Sequence, residues 1–174
     1  MMGKGRFTAA LSTDKLPIGK IEYDHILPDG TPINLYQELL WDFKKYPHAL
    51  LVGGTGSGKT TLLKNMLAQF ICRQKEAEIY LATYKPKCED FSNIMESPHF
   101  GDYSRCTELF ETFYDRFQDR LNGSDETRHL LLLLVDEWVG FLLSLNKKEQ
   151  DQIIDKMGQI AMLGRSLNVQ IILA

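Results

Sequence analysis

The sequence predicts an α/β domain with a mainly parallel sheet, and three observations carry that prediction. Short apolar runs of strand length alternate with segments of helical period. One run, Leu130 to Val135, is aliphatic at every position, the pattern of a strand covered on both faces. A complete GxxxxGK(S/T) stretch, Gly53 to Thr60, lies between an apolar run and a strongly periodic segment, where a phosphate-binding loop joins a strand to a helix.

The elements are read in order as follows. Residues 1–17 read as a loose leader, punctuated by Gly3, Gly5 and Pro17. Gly19 to Leu27 alternates as a strand, with Ile21 and Tyr23 on one face, and Pro28-Asp29-Gly30 reads as a turn. Leu35, Leu39, Leu40 and Phe43 are spaced for a short helix over 35–45. This places residues 1–46, a leader with a strand and a short helix, before a core over 47–174 that holds the phosphate-binding loop. Within the core, Ala49 to Val52 reads as a buried strand, and Leu62, Leu63, Met66, Leu67, Phe70 and Ile71 mark a helix starting at Lys59. Ile79 to Ala82 is a second strand. Leu109, Phe110, Phe113, Tyr114, Phe117 and Leu121 mark a helix stopped at Asn122-Gly123. After Leu130 to Val135 come a helix over 149–163 and a last strand, Val169 to Leu173.

Composition narrows the function class. Hydrophobic residues make up 44% and charged residues 25%, as in ordinary globular domains. The net charge of −3 carries no global basic footprint for nucleic acid, which leaves room for a ring with a few basic residues in its channel. The three cysteines, Cys72, Cys88 and Cys106, fit neither zinc-ligand spacing nor a disulfide framework. A reducing cytoplasm is the expectation. No stretch approaches the roughly 20 apolar residues of a membrane span.

Two motifs carry chemistry. In Gly53-Gly54-Thr55-Gly56-Ser57-Gly58-Lys59-Thr60 and the following Thr61, glycines let backbone N–H groups point inward at phosphates, and the helix N-terminus adds partial positive charge. Lys59 reaches the β- and γ-phosphates and the Thr60 hydroxyl ligates Mg²⁺. Asp136 and Glu137 follow the Leu130 to Val135 strand, at the end of a sheet where α/β folds place ligands. Asp136 is expected to hold Mg²⁺, and Glu137 to take a proton from attacking water. An acid followed at once by Glu favours hydrolysis of ATP over phosphate transfer to a bound acceptor. Asn146-Lys147-Lys148-Glu149 superficially matches a guanine-reading motif. It follows the acidic strand too closely, with no βα unit between, and ends in Glu, so guanine specificity is not expected.

Three blocks, in order, resemble FtsK/SpoIIIE-type (FtsK/HerA) DNA translocases. They are Pro47-His48 leading into the phosphate loop, Leu132 to Val139 with Trp138 where the family has Phe, and Met162-Leu163-Gly164-Arg165-Ser166-Leu167 leading into Val169 to Ala174. Trp41-Asp42-Phe43 with Pro47-His48 is most similar to coupling ATPases of Gram-positive conjugative elements. The resemblance implies a RecA-like P-loop fold of the additional-glutamate type, with Val169 to Leu173 between the phosphate-loop strand and the Leu130 strand. The chain would then stop before the last strand or strands. It also implies a hexameric ring that uses ATP and Mg²⁺ to move double-stranded DNA in conjugation or segregation. A relaxase or transfer-channel proteins would be partners, and the full-length protein would be cytoplasmic or tethered to the inner face of the membrane. Thr83-Tyr84-Lys85 stands where the family has Asp-Pro-Lys. Arg165 is read either as a contact to a neighbouring subunit's nucleotide or as a surface residue at a helix end. Lys85, Lys87, Lys147 and Lys148 are read either as DNA-phosphate contacts or as solvated loop residues. A secretion or pilus-assembly ATPase, and a nucleotide-binding module without translocase activity, are the competing functions.

Overall fold

A strand whose side chains are all aliphatic is stable only where both faces are covered, and the sheet of this protein is built around such a strand. The computed structural model describes residues 14–85 and 89–174. Its strands and α-helices are β1 (Lys15–Ile26), β2 (Pro32–Asp42), β3 (Ala49–Leu50), α1 (Lys59–Arg73), β4 (Glu78–Thr83), β5 (Phe100–Gly101), α2 (Cys106–Asn122), β6 (Leu131–Asp136), α3 (Trp138–Ser144), α4 (Lys147–Leu163) and β7 (Val169–Leu173). Short 3₁₀ turns cover Glu89–Ile94 and Gly164–Leu167.

Five strands form one sheet in the order β3-β7-β6-β4-β5, and every pairing is parallel. The last strand lies between β3 and β6, the position anticipated from the sequence. Side chains of β6 alternate between two cores. Leu131, Leu133 and Val135 pack with Phe110, Phe113 and Phe117 of α2 and Ile153, Met157 and Ile160 of α4. Leu132 and Leu134 pack with Leu63, Met66, Leu67 and Phe70 of α1. Leu131 through Leu134 are fully buried, and truncating any one of them to Ala costs about 2–5 kcal/mol. Opposite the carboxyl ends of the strands, Arg120 is buried. It donates to the His129 carbonyl at 2.7 Å and the Leu167 carbonyl at 3.2 Å, and pairs with Asp125 at 3.3 Å.

Several expectations are corrected. Residues 35–45 are not a helix: Pro32–Asp42 is β2, antiparallel to β1, with Leu35 opposite Tyr23, Gln37 opposite Ile21 and Leu39 opposite Gly19. The same apolar residues serve either period, and the turn at Pro28–Gly30, with Gly30 at φ +87°, folds the segment back onto β1. Lys15 to Pro17 belong to β1 rather than to a leader, and Leu16 is fully buried. Trp41, Phe43 and Phe70 form an edge-to-face cluster with centroids 5.1–6.2 Å apart. Gln69 and Arg73 of α1 donate to the carbonyls of Pro17 and Lys15 at 2.9 Å. These contacts dock the base of the hairpin on α1, while Ile21, Tyr23, Leu35 and Leu39 farther out remain exposed. The strand before the phosphate loop is not buried either. It is a sheet edge, with Leu50 64% and Val52 84% exposed.

Gly164 is the C-cap at which α4 ends; its backbone is right-handed (φ −60°), and the left-handed turn comes at Asn168 (φ +53°). Glycine is required at 164 for close approach, because an added Cβ would sit 2.6 Å from the Val169 carbonyl oxygen. His48 lies beside it, its Cε1 3.5 Å from where that added Cβ would sit, and its Nδ1 accepts from the Ile171 N–H at 3.2 Å. Burial lowers the pKa of His48. The Pro-His that precedes β3 thus ties this edge strand to β7 and the end of α4.

Gly164→Ala is expected to destabilise by about 1–3 kcal/mol through overpacking against backbone. Gly158→Ala on α4, where a Cβ meets nothing within 4 Å, should be neutral or stabilise by up to ~1 kcal/mol; urea unfolding of both checks this. For His48 the folded-state pKa is depressed, so its contribution is present above the ordinary value of 6.5 and is lost as pH falls below it. Melting temperatures measured from pH 8 to pH 5.5 should therefore fall more steeply in the wild type than in His48→Gln.

Candidate functional site: a phosphate-binding cleft

The loop between β3 and α1 needs conformations that side chains resist. Gly56 (φ +77°) and Gly58 (φ +91°) occupy left-handed backbone, and Gly58 is the N-cap of α1. At Gly53 a Cβ would lie 2.5 Å from the Ser57 hydroxyl. The loop closes through Ser57 N–H donating to the Gly54 carbonyl at 3.2 Å. No acidic residue occupies the first turn of α1, so the positive end of the helix stays available for an anion. Gly54 through Thr61, with Lys85, Asp90 and Glu137, line a cleft of about 350 Å³. Lys59 Nζ donates to the carbonyls of Gly53 at 2.7 Å and Gly54 at 3.2 Å.

β6 delivers Asp136 to this loop at its carboxyl end. The residue is 1% exposed, and a buried carboxylate needs partners for its charge and its lone pairs. It has both: the Thr60 hydroxyl donates to Oδ1 at 3.1 Å, and Lys85 Nζ lies 2.8 Å from Oδ2. Lys85 Nζ is also 2.8 Å from Thr60 Oγ1. Thr60 and Asp136, 76 positions apart, thus present a hydroxyl and a carboxylate at one point. Two hard oxygen donors beside a phosphate loop fit Mg²⁺, which keeps most of its shell as water and phosphate oxygen.

Glu137 follows in left-handed backbone, φ +65°, as the N-cap of α3. This is uncommon outside glycine. The turn is held by Trp138 N–H donating to the Ala174 carbonyl at 2.8 Å and Ala174 N–H to the Val135 carbonyl at 2.8 Å. Glu137 is exposed and lines the cleft. A carboxylate at the mouth, free of the buried position its neighbour holds, can take a proton from a water in the cleft.

Of the lysines read as DNA-phosphate contacts or solvated loop residues, Lys85 lies in this cleft, beside Thr60 and Asp136. Lys87 lies outside the described residues. Lys147 and Lys148 are exposed at the start of α4, away from the cleft, and Lys147 pairs with Asp151 at 2.7 Å. Asn146 to Glu149 is a capping box: Asn146 accepts from the Glu149 N–H at 3.0 Å, and Glu149 accepts from the Asn146 N–H at 2.9 Å. Arg165 is exposed in the 3₁₀ turn after α4. Asp90 was missed from sequence. Its carboxylate lies 3.9 Å from Lys85 and 3.5 Å from Lys64, an arrangement that only the fold creates. Among the described residues no helix is long and apolar enough to cross a membrane, and no group of three His, Cys, Asp or Glu side chains is placed to hold a metal.

Comparison with known proteins agrees with this frame. Residues 30–113 match the model of the FtsK/SpoIIIE family. The Bacillus subtilis Ftsk domain-containing protein YdcQ is 23% identical over 170 residues, covering 88% of this chain and 35% of YdcQ. The DNA translocase FtsK of Borreliella burgdorferi is 22% identical over 164 residues, covering 79% of this chain and 20% of that protein. The chain therefore spans about a third or less of these relatives. Among solved structures, the pCW3 conjugation coupling protein TcpA superposes with a TM-score of 0.58 at 18% identity, covering 89% of this chain and 47% of TcpA. The type VII secretion ATPase EccC of Thermomonospora curvata superposes with a TM-score of 0.59 at 24% identity, covering 93% of this chain and 21% of EccC. The family match over residues 30–113, the phosphate loop and the parallel sheet agree on a P-loop fold similar to that of FtsK/SpoIIIE-type proteins.

Proposed function

We propose that this domain binds and hydrolyses ATP to drive movement of double-stranded DNA, in conjugative transfer or in segregation. One observation carries the nucleotide reading: the Thr60 hydroxyl and the buried Asp136 carboxylate meet at 3.1 Å beside a complete phosphate loop. Their family setting extends it to DNA, since relatives over most of this chain are named DNA translocase FtsK.

In this reading the N–H groups of Gly54 to Thr61 cradle the phosphates, and Lys59 turns from the Gly53 and Gly54 carbonyls onto the β- and γ-phosphates. Thr60 and Asp136 would hold Mg²⁺, which supplies charge neutralisation at the transferred phosphoryl group. Glu137 orients a water and takes its proton as the water oxygen bonds to the γ-phosphorus and the β–γ bridging P–O bond breaks. ADP and phosphate are left. Arg165 is proposed to face a neighbouring subunit in a hexameric ring, and Lys147 and Lys148 to meet DNA phosphates; helix-end solvation is the competing role for all three. Residues 47–174 form the ATPase core, placed on the cytoplasmic side, with a relaxase or channel proteins as partners in the conjugative case. A second reading, an ATPase that moves protein, draws on the same fold in EccC and EssC.

Lys59→Ala should weaken ATPγS binding by about 100-fold or more, through loss of a charge-assisted contact to phosphate; calorimetry reads it. Glu137→Gln should keep nucleotide affinity and lower hydrolysis by about 10²–10⁴ in the full-length protein that carries this domain. A normal rate in that variant removes Glu137 as the base. Stimulation of hydrolysis by double-stranded DNA separates the two functions: its absence in the full-length protein favours the protein-moving reading.

A further inference from the structure

Lys85 does more in this cleft than balance charge on the protein surface. Its Nζ stands 2.8 Å from Thr60 Oγ1 and 2.8 Å from Asp136 Oδ2. These are the oxygens assigned above to the divalent ion. An ammonium at hydrogen-bond distance from both fills the space in which a metal would bind them at about 2.0–2.1 Å. Two cations cannot share the place, because each would repel the other across less than a hydrogen-bond length.

We propose that Lys85 is a resident cation of the phosphate cleft, competing with the divalent metal for the Thr60–Asp136 pair and withdrawing toward Asp90 when the metal arrives. The inference rests on the reading of Thr60 and Asp136 as the metal-holding pair. Three features support it. Asp136 is 1% exposed, so its charge requires a counter-cation whether or not a metal is present. Lys85 is partly exposed, with 28% of its side chain accessible, so its head group can move outward without leaving a hole in the core. Asp90 Oδ2 already lies 3.9 Å from Lys85 Nζ on the rim, where Lys64 holds the other Asp90 oxygen at 3.5 Å. The displaced ammonium thus passes from one carboxylate to another and remains beside the phosphates. In consequence, free divalent ions bind poorly, and the metal enters well only when phosphate oxygens help to displace the lysine.

The test compares Mn²⁺ binding, followed by electron paramagnetic resonance without nucleotide, with melting in EDTA. Lys85→Met should bind free Mn²⁺ at least about tenfold more tightly than wild type, since a like charge is removed from the site. It should melt about 3 °C or more lower in EDTA, with Mn²⁺ restoring the loss. Lys85→Arg should keep wild-type behaviour in EDTA. The double variant Lys85→Met with Asp136→Asn should recover the melting temperature and gain no Mn²⁺ affinity. Unchanged Mn²⁺ affinity and melting in Lys85→Met overturn the inference. If Lys85→Met cannot be purified, folding of the double variant supports a charge role, and its failure assigns Lys85 to packing and overturns the inference. Mg²⁺·ATPγS binding by wild type is measured alongside. No nucleotide binding, with the Mn²⁺ gain present, sinks the nucleotide reading and spares Lys85; nucleotide binding without the gain sinks the Lys85 inference alone.

Discussion

A buried carboxylate at the end of the central strand governs how this domain is put together. Asp136 cannot be sequestered without partners, and its partners come from distant parts of the chain: Thr60 from the first turn of α1 and Lys85 from the loop after β4. Adjacent strands lie about 4.8 Å apart, so β3 and β6, with β7 between them, are separated by roughly 10 Å. The start of α1 crosses that gap and brings Thr60 over β6. β7 contributes no charged group to the cleft; its part is to set the spacing. Its last turn of backbone also pins the Glu137 corner through Trp138 N–H to the Ala174 carbonyl.

The two ends of the sheet use charge differently. At the end opposite the cleft, Arg116 forks onto Glu78 at 3.0–3.2 Å, and Arg120 is fully enclosed by carbonyls and Asp125. Hydrogen bonds from Thr127, with help from Arg120, hold the Asp125 carboxyl down at about 2. Arg116 also reaches Asp119 and Asp125, so these groups form one shared network. At the carboxyl end Asp136 is buried, while the partly exposed Lys85 reaches both Asp136 and Asp90.

Much of this was legible in the residues, for identifiable reasons. Leu130 to Val135 announced a strand buried on both faces, because no other element needs six aliphatic side chains in a row. Gly53 to Thr60 announced its own geometry, since Gly56 and Gly58 occupy backbone that other residues avoid. What sequence could not show was competition between periods and contacts across long separations. Leu35, Leu39 and Phe43 satisfy helical spacing, yet Leu35 and Leu39 also fall on one face of a strand, and the partner strand β1 decided between the two. Gly164 caps the end of α4, and what sequence could not show is that the Val169 carbonyl also leaves no room for a Cβ there. Lys85 gave no local sign of its role, because Thr60 and Asp136 reach it only through the fold. α3 escaped notice because its seven residues follow the acidic pair directly and carry one buried anchor, Phe141.

The edge position of β3 has a mechanical meaning. Its ladder to β7 covers Ala49 and Leu50, extended by Leu51 N–H to the Leu173 carbonyl at 2.7 Å, and among the described residues no other strand pairs with it. Tension on the phosphate loop is therefore borne by a handful of hydrogen bonds to a single neighbour, with His48 as a rivet at the far end. The fully buried strand β6 holds the acid, and the short, exposed strand β3 carries the loop.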